Sequence, residues 1–531
     1  MKEYQKKNRR FFLGALVSIL VSTVFAVTLQ FFKGDVLDYA IAGEMQKTIR
    51  YALLLIVFIL CEVFCYFAYR LFSAKFAVEC TKALKYDIFK SILGRSYVAY
   101  KERAQGEYIA KYSNEADTIR ERQFQMLPMF WEILLKIIFV NAALFMLDWR
   151  IAVITIALLT TPLYIPKIIE KKLQNAQSAH IQAVEDSLAK INDLLSGFEI
   201  IKNYSIESKI IGRFKDVNDR SMETLLDDTQ LGAAAQLITT LISYLSYFVV
   251  LVCAAWLVLK GNFSAGDFFV AVGMIDQLSY LLISLAGITR QLYAIKPVCA
   301  AMEEFLNIPA AAPETQTSKK LQSDIRFCDV SFSYDHQRRI LDGLNLRFEK
   351  GKRYLLTGPS GCGKTTAVNL LLQYYDVTGG RIEIDGIPLH RAGPAYGCMT
   401  VVRQEAVLFH DTLRNNLTMY QDIPEERLIE VLKCVGLDRF ADAQTLDSIV
   451  TENGANFSGG EKKRICLARA LLRDTDILIL DEPLANLDAR TAERIEDLLL
   501  SIPDKTLLVV SHQFTESKRN QFDQIIAFTA S

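Results

Sequence analysis

Charge of one sign is what this sequence most clearly lacks, because 60 basic residues balance 60 acidic ones. No global field therefore steers the chain towards nucleic acid, and we expect no nucleic-acid partner. The ten cysteines include no CxxC pair and no His/Cys cluster with zinc-ligand spacing, which argues against a zinc site and favours a reducing compartment for the soluble part. With 51% hydrophobic and 23% charged residues, the composition also excludes a disordered or collagen-like chain.

Long apolar runs fill the first 300 of the 531 residues. A membrane-spanning helix needs about 20 mostly apolar residues. Six runs meet this requirement: 11–32, 51–72, 126–147, 151–169, 232–259 and 267–292. The first run is too long for the apolar core of a signal peptide, and a second follows closely, so we expect it to be retained. The sequence therefore predicts an all-α membrane domain of six transmembrane helices.

Basic residues precede the first run, among them Lys6, Lys7, Arg9 and Arg10. By the positive-inside rule they place the N-terminus in the cytoplasm. The two long gaps between runs, 73–125 and 170–231, then also face the cytoplasm. Both show helical periodicity, and folded as two limbs each they would reach about 40–45 Å from the membrane. We therefore predict long cytoplasmic helical extensions.

A small-residue, proline-containing stretch, PAAAPETQTS, covers residues 309–318 and is typical of a linker. The predicted organisation is a transmembrane domain at 1–308, the linker, and a soluble domain at 319–531.

A phosphate-binding pattern opens the soluble domain. A short apolar strand signal at 353–356 precedes GPSGCGKTT, in which Gly358, Gly363, Lys364 and Thr365 satisfy G-x-x-x-x-G-K-[ST]. The glycines let backbone N–H groups surround phosphate oxygens, the lysine bridges the β- and γ-phosphates, and the threonine hydroxyl can bind Mg²⁺. The helix that follows directs its N-terminus at the anion.

A pair of carboxylates ends a second buried strand signal. Residues 477–480 are apolar and lead directly into Asp481 and Glu482. The first carboxylate can hold Mg²⁺ and the second can polarise an attacking water. Together with the phosphate-binding pattern, this pair predicts nucleotide hydrolysis with ATP and Mg²⁺.

The segment FSGGE, Phe457 to Glu461, narrows the choice among the families of P-loop nucleotide hydrolases. With the EKKRICLARALL that follows, it resembles the LSGGQ signature of ABC ATPases. Nearly the whole chain resembles an ABC exporter half-transporter. The resemblance implies a membrane all-α domain of six helices with cytoplasmic extensions, fused to an α/β P-loop ABC ATPase domain.

The resemblance also implies residue roles. Tyr334 stands where the family stacks an aromatic on adenine, Gln404 where it senses Mg²⁺ and nucleotide, Asp488 where it has its D-loop acid, and His512 where it contacts the γ-phosphate. Catalytic roles fall to Glu482, His512 and Gln404, and Mg²⁺ binding falls to Thr365, Gln404 and Asp481. Nucleotide binding falls to Tyr334, Gly358, Ser360, Gly361, Gly363, Lys364, Thr365, Thr366, Gln404, Asp481, Ser458 and Gly460.

In the family, Ser458 and Gly460 complete the ATP site of the opposite subunit, so the resemblance implies a dimer that sandwiches two ATP molecules. Phe457 and Glu461 stand where the family usually has Leu and Gln, and we expect the site to remain active. Coupling helices are expected near 96–103 and 204–213.

Ionisable residues fall inside predicted spans, among them Glu62, Glu132, Lys136 and Asp276. Such residues are costly in a bilayer and indicate function by default. Glu132 and Lys136 are four residues apart and share a helix face, so they form either an internal ion pair or, for Glu132, part of a cavity for a cationic substrate. Asp276 belongs to a polar patch that could line the substrate pathway.

The function predicted is ATP-driven export of an amphipathic drug, lipid or peptide across the cytoplasmic membrane. The partner is a second half-transporter, identical or different, with membrane lipid around it and the N-terminus and ATPase domain in the cytoplasm. The alternatives are a siderophore-type importer on the same fold and a nucleotide-sensing subunit without transport.

Overall fold

The computed structural model describes residues 1–159, 165–307, 320–334, 338–389, 397–485 and 487–529. The predicted linker 309–318 thus lies outside the described residues. The chain divides into two compact units. The helical unit comprises Met1–Leu93 and Ala104–Ile308, and the α/β unit comprises Gly94–Arg103 and Pro309–Ser531.

Helices make up the described part of the helical unit. In chain order they are α1 (Lys2–Lys7), α2 (Arg9–Ile41), α3 (Met45–Leu93), α5 (Gln105–Ala110), α6 (Ala116–Ile119), α7 (Met126–Leu147), α8 (Trp149–Leu159), α9 (Ile165–Ser196), α10 (Phe198–Asn203), α11 (Glu207–Leu259), α12 (Ala265–Ala294) and α13 (Lys296–Leu306). Two π-helical turns, Lys111–Glu115 and Arg120–Phe124, join α5, α6 and α7. The intervening α4 (Tyr97–Lys101) groups with the α/β unit.

Five helical stretches among the described residues are long and apolar enough to cross a membrane: Arg9–Ile41, Met45–Leu93, Gln105–Leu147, Glu207–Leu259 and Ala265–Leu306. A shorter apolar helix covers Trp149–Leu158. The predicted fourth span continues from there through residues 160–164, which lie outside the described part of the chain. The all-α membrane domain is confirmed, and the count of six spans stays a prediction.

At α3 and α11 the predicted cytoplasmic extensions continue the apolar helices without a break. Helix α3 runs for 49 residues, about 74 Å at the usual helical rise, and α11 runs for 53. The first predicted coupling helix, 96–103, contains α4, whose first turn is capped by the Ser96 hydroxyl. The second prediction, a helix over 204–213, is wrong in its position. Ser205 has a left-handed φ of 51°, which separates α10 from α11 inside that range.

Close packing between α2 and α12 shows why small residues are needed at their contact. A Cβ on Gly34 would lie 2.6 Å from a methyl group of Val270, so only glycine allows this approach. One turn further along α2, the Asp38 carboxylate accepts hydrogen bonds from Ser264 Oγ (2.5 Å) and from the Gly266 backbone N–H (2.7 Å). The carboxylate thereby satisfies the N-terminus of α12 from a neighbouring helix.

The α/β unit contains nine described strands and seven described helices besides α4. The strands are β1 (Asp324–Phe332), β2 (Leu341–Glu349), β3 (Arg353–Thr357), β4 (Gly379–Ile384), β5 (Ile387–Pro388), β6 (Met399–Val402), β7 (Ile477–Asp481), β8 (Thr506–Val510) and β9 (Gln524–Ala527). The helices are α14 (Lys364–Leu371), α15 (Leu413–Thr418), α16 (Glu425–Cys434), α17 (Ala443–Leu446), α18 (Gly459–Leu472), α19 (Ala489–Ser501) and α20 (Glu516–Arg519).

Two sheets organise these strands. One is antiparallel, in the order β2-β1-β4-β5, and the other is parallel, in the order β6-β7-β8-β3-β9. Strands β7 and β8 are buried at every position, as expected for parallel strands covered on both faces. Because β3 and β7 both neighbour β8, their carboxyl ends meet at one edge of the sheet, where ligands bind in open α/β folds. The predicted α/β ATPase fold is confirmed.

Candidate functional site: a nucleotide cavity at the edge of the parallel sheet

The loop between β3 and α14 has the backbone geometry that encloses a phosphate. Gly358, Gly361 and Gly363 have φ values of 136°, 82° and 97°, which side chains other than hydrogen strongly disfavour. A Cβ on Gly363 would also lie 2.6 Å from a methyl group of Leu341. Lys364 begins α14, and its Nζ donates to the carbonyls of Gly358 (2.6 Å) and Pro359. The loop therefore holds a positive charge beside the N-terminus of a helix.

Asp481 ends β7 beside the same loop. Its Oδ2 accepts a long hydrogen bond from Thr365 Oγ1 (3.5 Å). Burial raises the pKa of Asp481, while Arg403, Thr365 and Lys364 act in the opposite direction. The hydroxyl and the carboxylate supply the hard oxygen atoms that Mg²⁺ prefers, so these residues fit the expected ion.

Glu482 is held in a conformation that non-glycine residues seldom adopt. Its φ is 51°, and its backbone N–H donates to the Val510 carbonyl on β8 (2.8 Å). Burial raises the pKa of the Glu482 carboxyl, and the largest opposing effect comes from His512. A carboxylate with a raised pKa is a better proton acceptor than an exposed one.

A cavity of about 580 Å³ joins these elements. Its volume is in the usual range for ligand sites. Its lining includes Tyr334, Ser360, Gly361, Gly363, Lys364, Thr365, Thr366, Gln404, Asp481, Glu482 and His512. The fold thus gathers most of the sequence-predicted site residues from five separate stretches of the chain.

Tyr334 lies at the rim of the cavity with an exposed ring. The side chain is 51% exposed, its hydroxyl lies 3.2 Å from Thr366 Oγ1, and Phe332 and Tyr375 contact the ring edge-on. These contacts fix the ring orientation while leaving area for a base to stack. This geometry suits the adenine-stacking role expected for Tyr334.

The residues of the FSGGE signature are not among those that line this cavity. Ser458 is the N-cap of α18, where its hydroxyl accepts from the Glu461 N–H (3.3 Å). Among the residues that the structure describes, the lining of the nucleotide cavity includes neither Ser458 nor Gly460. Asp488 caps α19 by accepting from the Thr491 N–H (3.0 Å), and its neighbour Asn486 lies outside the described residues.

Sequence reasoning missed Lys463, which is 8% exposed. Its Nζ donates to the carbonyls of Glu482 (3.2 Å) and Ala485 (2.9 Å), so it supports the backbone that carries the second carboxylate. Burial lowers the pKa of Lys463, and the carboxylates of Glu482 and Asp481 oppose that shift. Helical periodicity could have found it, because Lys463 is four residues before Leu467, which is also buried.

In the helical unit, Lys136 Nζ donates to Glu132 Oε1 at 2.7 Å and lies 5.2 Å from the centre of the Tyr66 ring. Ser22 Oγ donates to Glu62 Oε1 at 3.2 Å, joining α2 to α3. Asp276 is exposed on α12. The first of the two alternatives for Glu132, an internal ion pair, is therefore present within one chain.

Apolar helices long enough to cross a membrane, joined in one chain to a P-loop cavity lined by two carboxylates, are the combination expected of an ATP-driven membrane transporter. Residues 11–282 match the ABC transporter transmembrane region and residues 341–485 match the ABC transporter ATP-binding family. The chain belongs to the ABC transporter family. It is an exporter-type half-transporter and an integral membrane protein, and its ATPase domain hydrolyses ATP in support of transport, as the sequence predicted.

Curated relatives extend over both units. YwjA of Bacillus subtilis, an uncharacterised ABC transporter ATP-binding protein, is 26% identical over 84% of this chain and 79% of its own. YgaD of the same organism, a putative multidrug export ATP-binding/permease protein, is 27% identical over 83% and 78%. An ATP-dependent lipid A-core flippase of Paraburkholderia xenovorans is 28% identical over 75% and 68%.

A solved structure has the same fold. It is a bacterial Atm1-family ABC exporter with ATP bound, with a TM-score of 0.80 and 22% identity, covering 98% of this chain and 94% of the other.

Proposed function

We propose that this protein exports an amphipathic drug, lipid or peptide across the cytoplasmic membrane as a dimer with two composite ATP sites. The observation that carries the dimer is the separation of the two half-sites. One cavity contains the phosphate loop, Gln404, Asp481, Glu482 and His512, whereas Ser458 at the start of α18 is not part of its lining. A second copy supplies the missing half by presenting its Ser458 and Gly460.

The chain is organised as a transmembrane domain at 1–308, a linker at 309–318 and an ATP-binding domain at 319–531. The N-terminus and the ATP-binding domain face the cytoplasm, a placement supported by the basic residues before the first span.

Binding of ATP uses groups that the chain holds in place beforehand. Tyr334 stacks on the base, the backbone N–H groups of the phosphate loop bind the phosphate oxygens, and Lys364 contributes its charge. Thr365, Gln404 and Asp481 would hold Mg²⁺, which when bound neutralises the charge that develops on the phosphates. The cavity residues thereby orient the γ-phosphate before any bond changes.

Hydrolysis uses Glu482 as the general base. Its backbone is fixed by Val510 and Lys463, so the carboxylate has a defined direction towards the cavity. It accepts the proton of the attacking water, and His512 contacts the γ-phosphate from the loop after β8. ATP binding closes the two ATP-binding domains and turns the substrate cavity outward, and hydrolysis resets it.

The class of substrate is supported by the relatives. Their printed functions are lipid A-core flipping and multidrug export, and both kinds of cargo are amphipathic. The exposed polar group of Asp276 on α12 is our candidate for the pathway lining.

The test is ATPase activity of the purified full chain alone in lipid nanodiscs. We expect turnover, and Glu482→Gln should reduce kcat by roughly 10²–10⁴-fold while ATP still binds. Glu516→Gln, an exposed acid on α20, is the matched control and should leave kcat unchanged. Stimulation of turnover by lipids, drugs or peptides then identifies the cargo class.

Binding of ATP by the wild-type chain without turnover would contradict the self-sufficient homodimer. Such a chain would be either one member of a heterodimer or a nucleotide sensor. Restoration of turnover by a co-purified partner would identify the heterodimer.

A further inference from the structure

The signature departs from the family pattern at Phe457 and Glu461, and both departures meet one short segment. This segment is the single 3₁₀ turn Asp438–Phe440, between α16 and α17. It was not selected by any sequence motif. The turn contacts Phe457 through Phe440 and Glu461 through Arg439, so the turn and the two unusual signature residues form one structural unit.

Phe457 is buried against this turn. Its side chain is 7% exposed, and its ring packs on Phe440 with centroids 5.1 Å apart at 51°. The Arg439 guanidinium lies over the Phe440 ring, with its carbon 4.5 Å from the ring centre. An aromatic pair with a cation on its outer face is a favourable arrangement. The Phe457–Phe440 contact therefore fixes the position of Arg439.

Glu461 is the second departure, and its carboxylate lies at the N-terminus of α18. One oxygen, Oε2, accepts from the Ser458 N–H (2.9 Å) and from Ser458 Oγ (3.0 Å). The other, Oε1, pairs with Arg439. The side chain of Glu461 is 12% exposed and that of Arg439 is 65% exposed, so the acid is shielded and its counter-ion faces solvent.

The charge of Glu461 matters because the N-terminus of α18 is the part expected to receive a phosphate. A helix N-terminus attracts anions through its free N–H groups and dipole. A carboxylate there occupies those donors and repels a triphosphate, whereas the family's glutamine is neutral. A cation bound to the carboxylate cancels most of this repulsion.

We propose that Arg439 is a positioning residue of the composite ATP site. It neutralises the charge of Glu461, so that Ser458 can bind the γ-phosphate of the ATP held by a second copy. The proposal rests on the dimer proposed above. Arg439 touches neither substrate nor reacting atoms; it acts through the carboxylate of Glu461. Among the described residues, the Arg439–Glu461 pair links the aromatic packing of the turn to the signature helix.

The experiment is a double-mutant cycle on the full chain in nanodiscs. Arg439→Met keeps an unbranched, flexible side chain and removes the charge. We expect it to raise the half-saturating ATP concentration of the ATPase by about 3- to 10-fold, the modest size reflecting the exposure of Arg439. In the E461Q background the same substitution should change that concentration less than about twofold, because no charge remains to neutralise.

Two variants serve as controls. Arg439→Lys retains the charge but loses the planar group that stacks on Phe440, and it should raise the half-saturating ATP concentration less than Arg439→Met does. Arg427→Met removes an exposed arginine of α16 that pairs with Glu430, and should have no effect. Binding of a fluorescent ATP analogue to the phosphate-loop half-site should be the same in every variant, which also shows that each is folded.

An equal loss in both backgrounds would overturn the proposal, because Arg439 would then act only by packing on Phe440. No effect of R439M in either background would overturn it as well. A wild-type chain that binds the analogue but hydrolyses no ATP would overturn the homodimer and this inference together, so the two failures are distinguishable.

Discussion

The two units treat buried charge in different ways. In the α/β unit, charged side chains from distant parts of the sequence converge on one cavity, as Lys364, Asp481 and Glu482 do. In the helical unit, Glu132 and Lys136 pair within a single turn of one helix. Charged groups gathered from separate parts of the chain around an open cavity are typical of a ligand site, whereas a local, satisfied ion pair by itself indicates no substrate. The comparison therefore teaches that charge in the membrane is weaker evidence of function here than charge at the sheet edge.

Among the tests of this comparison between the two units, the largest effect is expected from breaking the Glu132–Lys136 pair. Glu132→Leu leaves the half-buried Lys136 ammonium without its partner, and we expect it to destabilise the helical unit by about 3 kcal/mol. The double substitution Glu132→Leu/Lys136→Met should recover most of that loss, because an apolar pair needs no counter-charge. Thermal unfolding of the single and double variants in nanodiscs measures both.

The same variants decide between the two readings of Glu132. If the Glu132–Lys136 pair is only structural, cationic compounds stimulate the ATPase activity of the double variant as much as that of the wild type. Loss of that stimulation in a stable double variant would instead make Glu132 part of a cation-binding cavity and would break the comparison.

The second-largest effect is expected for substitutions of Lys463 in the α/β unit. Lys463→Met removes the donor to the carbonyls of Glu482 and Ala485, and we expect kcat to fall about 10-fold with little change in half-saturating ATP. Lys463→Gln retains a donor and should lose less. Lys462→Met, one position away, is the matched control. An equal rise in half-saturating ATP and fall in kcat would show that Lys463 supports the whole cavity rather than the base.

The smallest effect is expected for substitutions of Tyr334, at the rim of the cavity. Tyr334→Phe keeps the ring and loses only the hydroxyl contact with Thr366, so half-saturating ATP should rise less than about threefold. Tyr334→Ala removes the stacking surface and should raise it about 10-fold, since stacking of a base on an aromatic ring contributes about 1–3 kcal/mol. Steady-state ATPase titrations separate the two. Equal effects of both substitutions would contradict a stacking role.

Much of the nucleotide site could be predicted because its chemistry restricts residue types at fixed spacing. A backbone that surrounds a phosphate needs glycine at positions such as Gly358 and Gly363, so the loop is visible in the sequence. Lys463 and Arg439 were not predicted. Their roles depend on the partners that the fold brings to them, and a lysine or arginine on a helix or turn is usually a solvated surface group.

In the membrane half, the sequence predicted the class of element and not its details. Apolar runs of about 20 residues require helices, because only a helix satisfies its own backbone hydrogen bonds in lipid. The break between α10 and α11 escaped prediction because it depends on the left-handed backbone of Ser205, which no motif marks.

The sequence by itself determined the family, the two kinds of domain and most of the residues that line the cavity at the sheet edge, since membrane insertion and phosphate chemistry each impose a local pattern. Only the tertiary structure decided that Lys463 supports Glu482, that Glu132 is already paired, and that Arg439 reaches the signature carboxylate. The physical reason is that these are contacts among side chains whose energies depend on burial and distance, and neither quantity is written in the order of residues.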